Sequence, residues 1–529
     1  MPNPQIQNAL ISVSDKTGLT EFARGLVAAG ITIYASGGTR RHLETAGIQV
    51  QEVAAYTGFP EMMDGRIKTL HPKIHGGILG RTDHQEDLDA MATHGVVPFG
   101  LVVVNLYPFE TTISQPGVSP ADAIEQIDIG GPTLVRGAAK NHAYVAIASS
   151  PSQYPAIRNE IESNGGVSDT LRRELAGAAF AHTAAYDTAI ANYFVRPDTN
   201  NADKPSTDCF ERRINLAATH QVTLRYGENP HQSAALYASS NADPNSLVRA
   251  EQLNGKELSY NNLLDLDAAL SAASSLPTPS VVVLKHNNPC GAATAPTLGA
   301  ATQKAWDGDP ASAFGSILGF NVPVDLAAAE CLAEPGKFVE AIIAPDFEPA
   351  ALEILTTKPK WRSNVRLLRV GKVAPGTGAL QIRSISGGYL LQQTDNHADE
   401  VSAWHQPTEQ HATEEQLANL KFAWSICRHV KSNAIVFVKD CSLVGVGAGQ
   451  MSRVDAVEIA IRKAGDRSSG AVLASDAFFP FDDSIHNAAR AGIVAVIQPG
   501  GSRRDEEVIA ACNEHDLPML LTGRRHFRH

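Results

Sequence analysis

The sequence lacks the features that make several classes of protein recognisable. Its six cysteines, Cys209, Cys290, Cys331, Cys427, Cys441 and Cys512, stand far apart and form no CxxC pair. That excludes a dithiol or zinc centre of the usual spacing and leaves reduced, structurally ordinary thiols as the expectation. Eighteen histidines are present, yet there is no HExxH motif and no HxE followed by PCxxC. Pro289-Cys290 runs into Gly291, Ala292 and Ala293 instead of a second ligand, so no catalytic metal is expected. Positive charge is in deficit, 44 Lys+Arg against 56 Asp+Glu for a net −12, which excludes the global basic footprint of a non-specific nucleic-acid binder. Any anionic ligand must be held locally. The opening Met1-Pro2-Asn3-Pro4 has no basic leader region, and the apolar stretch 9–13 is too short for a signal segment or a membrane span. A cytoplasmic protein without a membrane partner is expected.

What is present suits a multidomain α/β protein. A chain of 529 residues exceeds the roughly 250–300 residues at which single cores stop growing. The 43% hydrophobic and 19% charged content, with 42 Gly and 30 Pro scattered along the chain, reads as globular and rich in turns. The order strand 9–13, helix 19–29, strand 31–35, a Gly-Gly-Thr turn and helix 40–46 implies parallel βαβ units. Leu101-Val102-Val103-Val104 followed by Asn105 reads as a central strand covered on both faces, its polar residue at the carboxyl end where open α/β sheets bind ligands. The polar, proline-containing stretch 196–208 reads as a linker, giving domains 1–199 and 200–529. Beyond it the strand from Val281 is echoed at Val436, and Gly315-Ser316-Ile317-Leu318 at Gly470-Ala471-Val472-Leu473, both at an offset of 155. Each block has the order strand, glycine-containing loop, helix, strand, which suggests two similar lobes.

Several short stretches carry candidate chemistry. Ser36-Gly37-Gly38-Thr39 lies between a strand and a helix, where backbone N–H groups and the helix dipole receive phosphate; a plain capped turn is the alternative. Ser12 to Gly18, with Ser14 and Lys16, ends the first strand in the same style. Arg66, Lys68 and Thr69 precede His71-Pro72 in a glycine-flanked loop, where clustered cations often meet an anion. Asn105 and Tyr107 follow the buried strand, and Asp128 and Lys140 add a carboxylate and a cation. Any one of these alone is more often structural.

Taken together, SDKTGL, SGGT, RIKTLHPKIHGG, NLYPF, IDIGGPTLVR and AAKNH resemble the IMP cyclohydrolase domain of bifunctional purine-biosynthesis enzymes. LRYGENPHQ, LNGKELSYNN, LKHNNPCG, SAFG, KSNAIV, GVGAGQMSR and SDAFFPF are similar to the AICAR transformylase part of the same family, AICAR being aminoimidazole carboxamide ribonucleotide. The resemblance runs in one order over nearly the whole chain. It implies an α/β protein with an N-terminal methylglyoxal-synthase-like (Rossmann-like) domain and C-terminal duplicated cytidine-deaminase-like lobes. It implies formyl transfer from 10-formyltetrahydrofolate to AICAR, then dehydrative closure of formyl-AICAR to IMP, by a homodimer.

For the first reaction, His286 follows an apolar strand and offers a neutral imidazole as base, with Lys285 supplying positive charge to the oxyanion. Alternation along a strand would point the two to opposite faces, so both can meet substrate only if the strand breaks at the Asn-Asn-Pro turn. The resemblance makes Asn433 a transformylase residue, Arg225, Tyr226, Gly315, Asp346 and Arg525 AICAR binders, and Met451 and Asp483 folate contacts. Arg524 departs from the apolar residue common in bacterial relatives, leaving Arg524 and Arg525 to compete for the phosphate; the family pattern favours Arg525. For ring closure, Lys68 and Lys140 would stabilise the oxyanion, Asp128 would take an amide proton and Tyr107 would relay one. Ser14, Lys16, Ser36, Gly38, Thr39, Arg66, Thr69 and Asn105 would hold the nucleotide. A transformylase with a decayed first domain and a non-catalytic nucleotide or folate sensor are the competing readings, opposed by the intact residue sets of both sites.

Overall fold

The structure, a computed structural model, describes residues 4–60, 62–63, 67–115, 117–195, 210, 214–239, 242–372 and 380–529. Arg66 and the stretch 196–208 lie outside the described residues. The chain divides into two compact units, Met1–Ala217 and Ala218–His529.

The first unit is built on a parallel sheet in the order Gln51–Glu52, Thr32–Ala35, Asn8–Val13, Leu101–Asn105, Ala146–Ala148. From the middle strand the chain winds outward one way and then returns to the other side. The carboxyl ends of Asn8–Val13 and Leu101–Asn105 therefore flank the crevice where winding reverses, the place such sheets bind ligands. Leu101, Val102, Val103 and Val104 are all buried, as an unbroken apolar run in a doubly covered strand requires. The helix read as 40–46 spans Gly37–Thr45 instead, with Ser36 at its N-cap. The supposed turn is its first helical turn, entered through Gly37 at φ +50, a left-handed conformation that glycine takes without steric cost.

Among its described residues the second unit has an eleven-stranded sheet. Its order is Met519–Leu521, Ala495–Gln498, Val472–Ser475, Ile435–Lys439, Ser442–Gly447, Asn288–Thr294, Ser280–Lys285, Ser316–Phe320, Val339–Ala344, Arg366–Arg369, Glu251–Asn254. Outward from the centre, each half repeats one pattern: two strands of a hairpin, then three strands reached through helices. The repeat is thus one of topology, but at the hairpins its offset is 154 and not 155: the turns His286-Asn287 and Asp440-Cys441 correspond, and Val281 answers Ile435, not Val436.

Three cores flank this sheet, one on one face and two on the other. The helices Tyr260–Ser274 and Glu414–Cys427, one from each half, share a single core on one face that includes Val282, Leu284, Val436, Val438 and Trp424. On the other face the halves have separate cores, Val281 and Val283 joining one, Ile435 and Phe437 the other. Alternate residues of one strand feeding different cores is the period-two geometry of a strand buried on both sides. Each such valine or leucine contributes about 1.5–3 kcal/mol by leaving water.

Candidate active sites

In the first unit a cavity of about 550 Å³ opens at the reversal of winding. It brings together Ser14, Lys16, Ser36, Gly38, Thr39, Lys68, Thr69, Asn105, Tyr107 and Asp128, residues drawn from five separate stretches of sequence. The loop after the first strand is fastened to the loop after the fourth by Asn105. Its Oδ1 accepts from Ser14 N at 2.6 Å and Asp15 N at 2.9 Å, and its Nδ2 donates to Asp15 O at 2.9 Å. Thr39 Oγ1 accepts from Val13 N at 3.0 Å and lies 3.1 Å from Val13 O, so its hydroxyl is engaged and its backbone N–H is what it can offer a ligand. Ser36 Oγ is buried and has no hydrogen-bond partner. An unpaired buried hydroxyl at the amino end of a nine-residue helix suits an anion that would complete it.

At the other side of the cavity Asp128 Oδ1 accepts from Gly131 N at 2.7 Å. Burial raises the Asp128 carboxyl above its ordinary value, opposed by bonds from Gly131 and Tyr107 N–H groups and by the charge of Lys68. A Cβ on Gly131 would stand 2.4 Å from Asp128 Oδ2, so only glycine allows this carboxylate its place. Tyr186, from the helix Asp169–Val195, was not foreseen: its hydroxyl accepts from Asp128 N at 2.9 Å and donates to Gln126 O at 3.0 Å. Lys140 is exposed at the far end of the helix Gly130–Lys140, whose first residues Gly130 and Gly131 line the cavity. Eleven residues at about 1.5 Å each separate the two ends, so this lysine is not among the lining residues.

In the second unit the predicted residues fall into distinct places. Lys285 and His286 border a cleft of about 260 Å³ with Cys290, Asp309 and Lys463. The strand breaks one residue earlier than the sequence suggests. His286 and Asn287, at φ 54 and φ 60, form the two-residue turn, while Asn288 and Pro289 already belong to the returning strand. Pro289 is accommodated by a bulge between it and Gly291. His286 is thereby exposed at the tip. Lys285 Nζ donates to Phe314 O and Gly315 O, each at 2.9 Å. Asp265, also unforeseen, accepts from Asn287 N at 2.7 Å; burial raises its carboxyl, while His286 and Lys285 pull it down.

Asn433, Met451, Asp483 and Arg525 line a second cleft, of about 560 Å³, edged by Phe478, Phe481 and Phe527. Arg524 is not among its lining residues. Asn433 is held on both ends of its amide. Oδ1 accepts from Arg453 Nη2 at 2.8 Å, and Nδ2 donates to Gln450 O at 2.9 Å. Arg453 is buried and paired with Asp476 at 2.6 Å. Lys431, two residues before Asn433, donates its N–H to Asn288 Oδ1 at 3.0 Å and so ties the chain beside the larger cleft to a residue lining the smaller one. Arg225 and Tyr226 bond to each other at 3.0 Å, and Asp346 faces Arg369 at 3.6 Å; none of the three lines either cleft.

Residues 138–463, more than half the chain, match the family described as AICARFT/IMPCHase bienzyme, and residues 18–133 match the MGS-like domain. The chain belongs to the AICARFT/IMPCHase bienzyme family. A bifunctional purine biosynthesis protein from Rhodopirellula baltica is 57% identical over 524 residues, 99% of each chain. One from Synechococcus elongatus is 50% identical over 526 residues, covering 98% of this chain and 99% of that one. A solved structure described as the crystal structure of ForH is 38% identical, covers 36% of this chain and 96% of that chain, and has a TM-score of 0.33. The bienzyme carries AICAR formyl transfer and IMP ring closure, the last two steps of purine biosynthesis, on one chain. Among the described residues no helix is long and apolar enough to cross a membrane.

Proposed function

We propose that the first-unit cavity closes formyl-AICAR to IMP and that the two clefts of the second unit serve formyl transfer from 10-formyltetrahydrofolate to AICAR. The observation that carries the first assignment is one cavity with an unpaired Ser36 hydroxyl at a helix amino terminus on one side and Lys68, Tyr107 and Asp128 on the other. The nucleotide phosphate takes Ser36 Oγ and the N–H groups of Gly38 and Thr39, with Lys16 and Arg66 as cationic support. Thr69, Ser14 and Asn105 shape the walls. The carboxamide nitrogen then attacks the formyl carbon, Asp128 takes its proton, Lys68 steadies the oxyanion and Tyr107 relays a proton as water leaves. Coiling the substrate supplies much of the rate, because intramolecular alignment removes an entropic barrier. Lys140 would join this site only with a rearrangement of its helix end or from another chain. The fragment 1–199 tests the assignment: folded, it should cyclise formyl-AICAR without folate, and a folded but inactive fragment would refute a self-contained site.

In formyl transfer the 5-amine of AICAR attacks the formyl carbon, its proton passes to His286, and the leaving folate nitrogen regains one. Lys285 places positive charge beside the oxyanion. Gly315, Arg225, Tyr226, Asp346 and Arg525 bind AICAR, Asn433 keeps its site ordered with Arg453, and Met451 and Asp483 meet the folate. Because Arg225, Tyr226 and Asp346 line neither cleft of the chain that carries the others, a shared site in a homodimer accounts for them best. The hairpin Leu380–Ile385 and Gly388–Gln393, which leaves Leu380, Ile382, Tyr389 and Leu390 exposed, is consistent with covering by a second copy. The repeated topology supports lobes of cytidine-deaminase-like descent, and a cytoplasmic location suits the substrates. Mixed dimers of Lys285→Ala with Asn433, Asp346 or Arg525 variants test the shared site: at least one pairing should recover tetrahydrofolate release. Failure of every verified mixed dimer would overturn it.

A further inference from the structure

The helices Asp483–Arg490 and Asp505–Glu514 bring together three ligand-type side chains that line neither cleft. His486 Nδ1 and His515 Nε2 lie 2.8 Å apart, their rings nearly perpendicular at 81°. With the Glu514 carboxylate, the ligand atoms all fall within 4.8 Å of one another. Two imidazoles and one carboxylate, completed by a water, are a donor set that zinc accepts. The close approach of two ring nitrogens allows one proton between them at most, so at least one lone pair points into the cluster. Asp482 Oδ2 lies 3.8 Å from His486 Nε2, on the far side of the ring, beyond hydrogen-bond reach but near enough for its charge to favour a proton there and leave Nδ1 to ligate. His515 stands at the carboxyl end of Asp505–Glu514, where the partial negative charge of the helix favours a cation.

We infer that His486, Glu514 and His515 form a binding site for a divalent transition metal of the zinc class, with Asp482 orienting His486. Mg²⁺ and Ca²⁺, which take oxygen ligands, are not its ions. A metal here fastens the helix Asp483–Arg490, whose first residues Asp483 and Ser484 line the larger cleft, to its neighbour Asp505–Glu514. The site is therefore a staple behind the wall of that cleft, separate from the reacting groups.

Tag-free, full-length protein stripped with chelator and titrated with Zn²⁺ in a non-coordinating buffer tests this by calorimetry. Wild type should bind about one equivalent per chain, unaffected by millimolar Mg²⁺. Its thermal midpoint should rise with zinc, as expected for a ligand that binds only the folded state. His486→Ala and His515→Ala should each weaken binding by about tenfold or more, and Asp482→Asn by about tenfold. Glu514→Gln, at an exposed position, keeps the test usable if a histidine variant unfolds. Absence of saturable binding to wild type, equal affinity in the folded His486→Ala/His515→Ala double variant, or displacement by Mg²⁺ would overturn the site.

Discussion

At the centre of the eleven-stranded sheet, Lys285-His286-Asn287-Asn288 and Lys439-Asp440-Cys441-Ser442 turn in the same way. His286 and Asn287 have φ 54 and φ 60, Asp440 and Cys441 φ 50 and φ 51. Both lysines reach back to the same kind of loop: Lys285 to Phe314 O and Gly315 O, Lys439 to Ser469 O at 2.8 Å beside Gly470. The lysine and its glycine loop are thus common to the two halves, while the imidazole is confined to one. A lysine at this position is first a fastening of the hairpin, and what sets the first half apart chemically is His286. Strand ends divide the opposite way. Asp476, ending a strand of the second half, pairs with Arg453 and so supports Asn433, whereas Asn321 of the first half donates to Leu276 O and Pro277 O, each at 3.1 Å, and merely closes a turn. The duplicated frame has been used once for each task.

The sharpest way to break this comparison is to remove the two tip residues. His286→Ala should lower tetrahydrofolate release by about 10²–10⁴-fold, the usual worth of a general base, with cyclisation of supplied formyl-AICAR unchanged. Asp440→Ala should leave formyl transfer within about twofold of wild type, as expected of a group outside the proton transfer. Equal losses in the two variants would dissolve the distinction. Next come the lysines: Lys285→Ala should depress formyl transfer strongly, whereas Lys439→Ala should show itself only in denaturant melts, as about 1 kcal/mol for one lost hydrogen bond.

Tyr186→Phe extends the test to the first unit. Burial pushes its phenol up to about 12, so it is a fixed neutral hydroxyl holding the Asp128 and Gln126 backbone. Its loss should slow cyclisation about tenfold, the effect of about 1.4 kcal/mol, within the range for leaving a buried group unpaired. Formyl transfer should not change, and a fall in both activities would mean a general loss of fold.

The smallest effect concerns the tail of the second half. Burial opposes the charge of His526, but Asp395, at 2.6 Å, and Asp399 outweigh it and hold the imidazole above its ordinary pKa. A raised folded pKa gives stability that is complete below the unfolded value, about 6.5, and lost as pH rises through the folded one. The thermal midpoint of wild type should therefore approach that of His526→Gln as pH climbs from 6 toward 9, by a few degrees. A constant gap between them would show that the contact is not ionic.

Much of this arrangement was legible because it depends on local pattern. Leu101-Val102-Val103-Val104-Asn105 announces both its burial and the ligand end of its sheet, and the repeat announces two similar halves, although its offset of 155 fits Gly315 and Gly470 and falls one residue out at the hairpins, where Lys285 answers Lys439. The composition of Asn287-Asn288-Pro289 points to a break one residue later than the true turn at His286-Asn287, because histidine is an unusual occupant of a two-residue turn and Asn288-Pro289 has the composition of a breaker. Ser36-Gly37-Gly38-Thr39 has the composition of a turn because two glycines disfavour helix, whereas here the first supplies the entry angle. Tyr186, Arg453 and Asp265 were missed for another reason. Each acts through a partner that tertiary packing brings near, and neither periodicity nor spacing encodes those meetings. The same holds for Lys140, whose distance from the cavity is set by the length and direction of one helix.

The core beneath Tyr260–Ser274 and Glu414–Cys427 belongs to both halves at once. A chain severed between 394 and 413 would leave each half with a bare apolar floor about half the sheet wide. Neither would have cause to stay folded without the other. Unfolding of this unit should then be one cooperative transition despite its repeated plan, a single calorimetric peak where a string of independent repeats would give two.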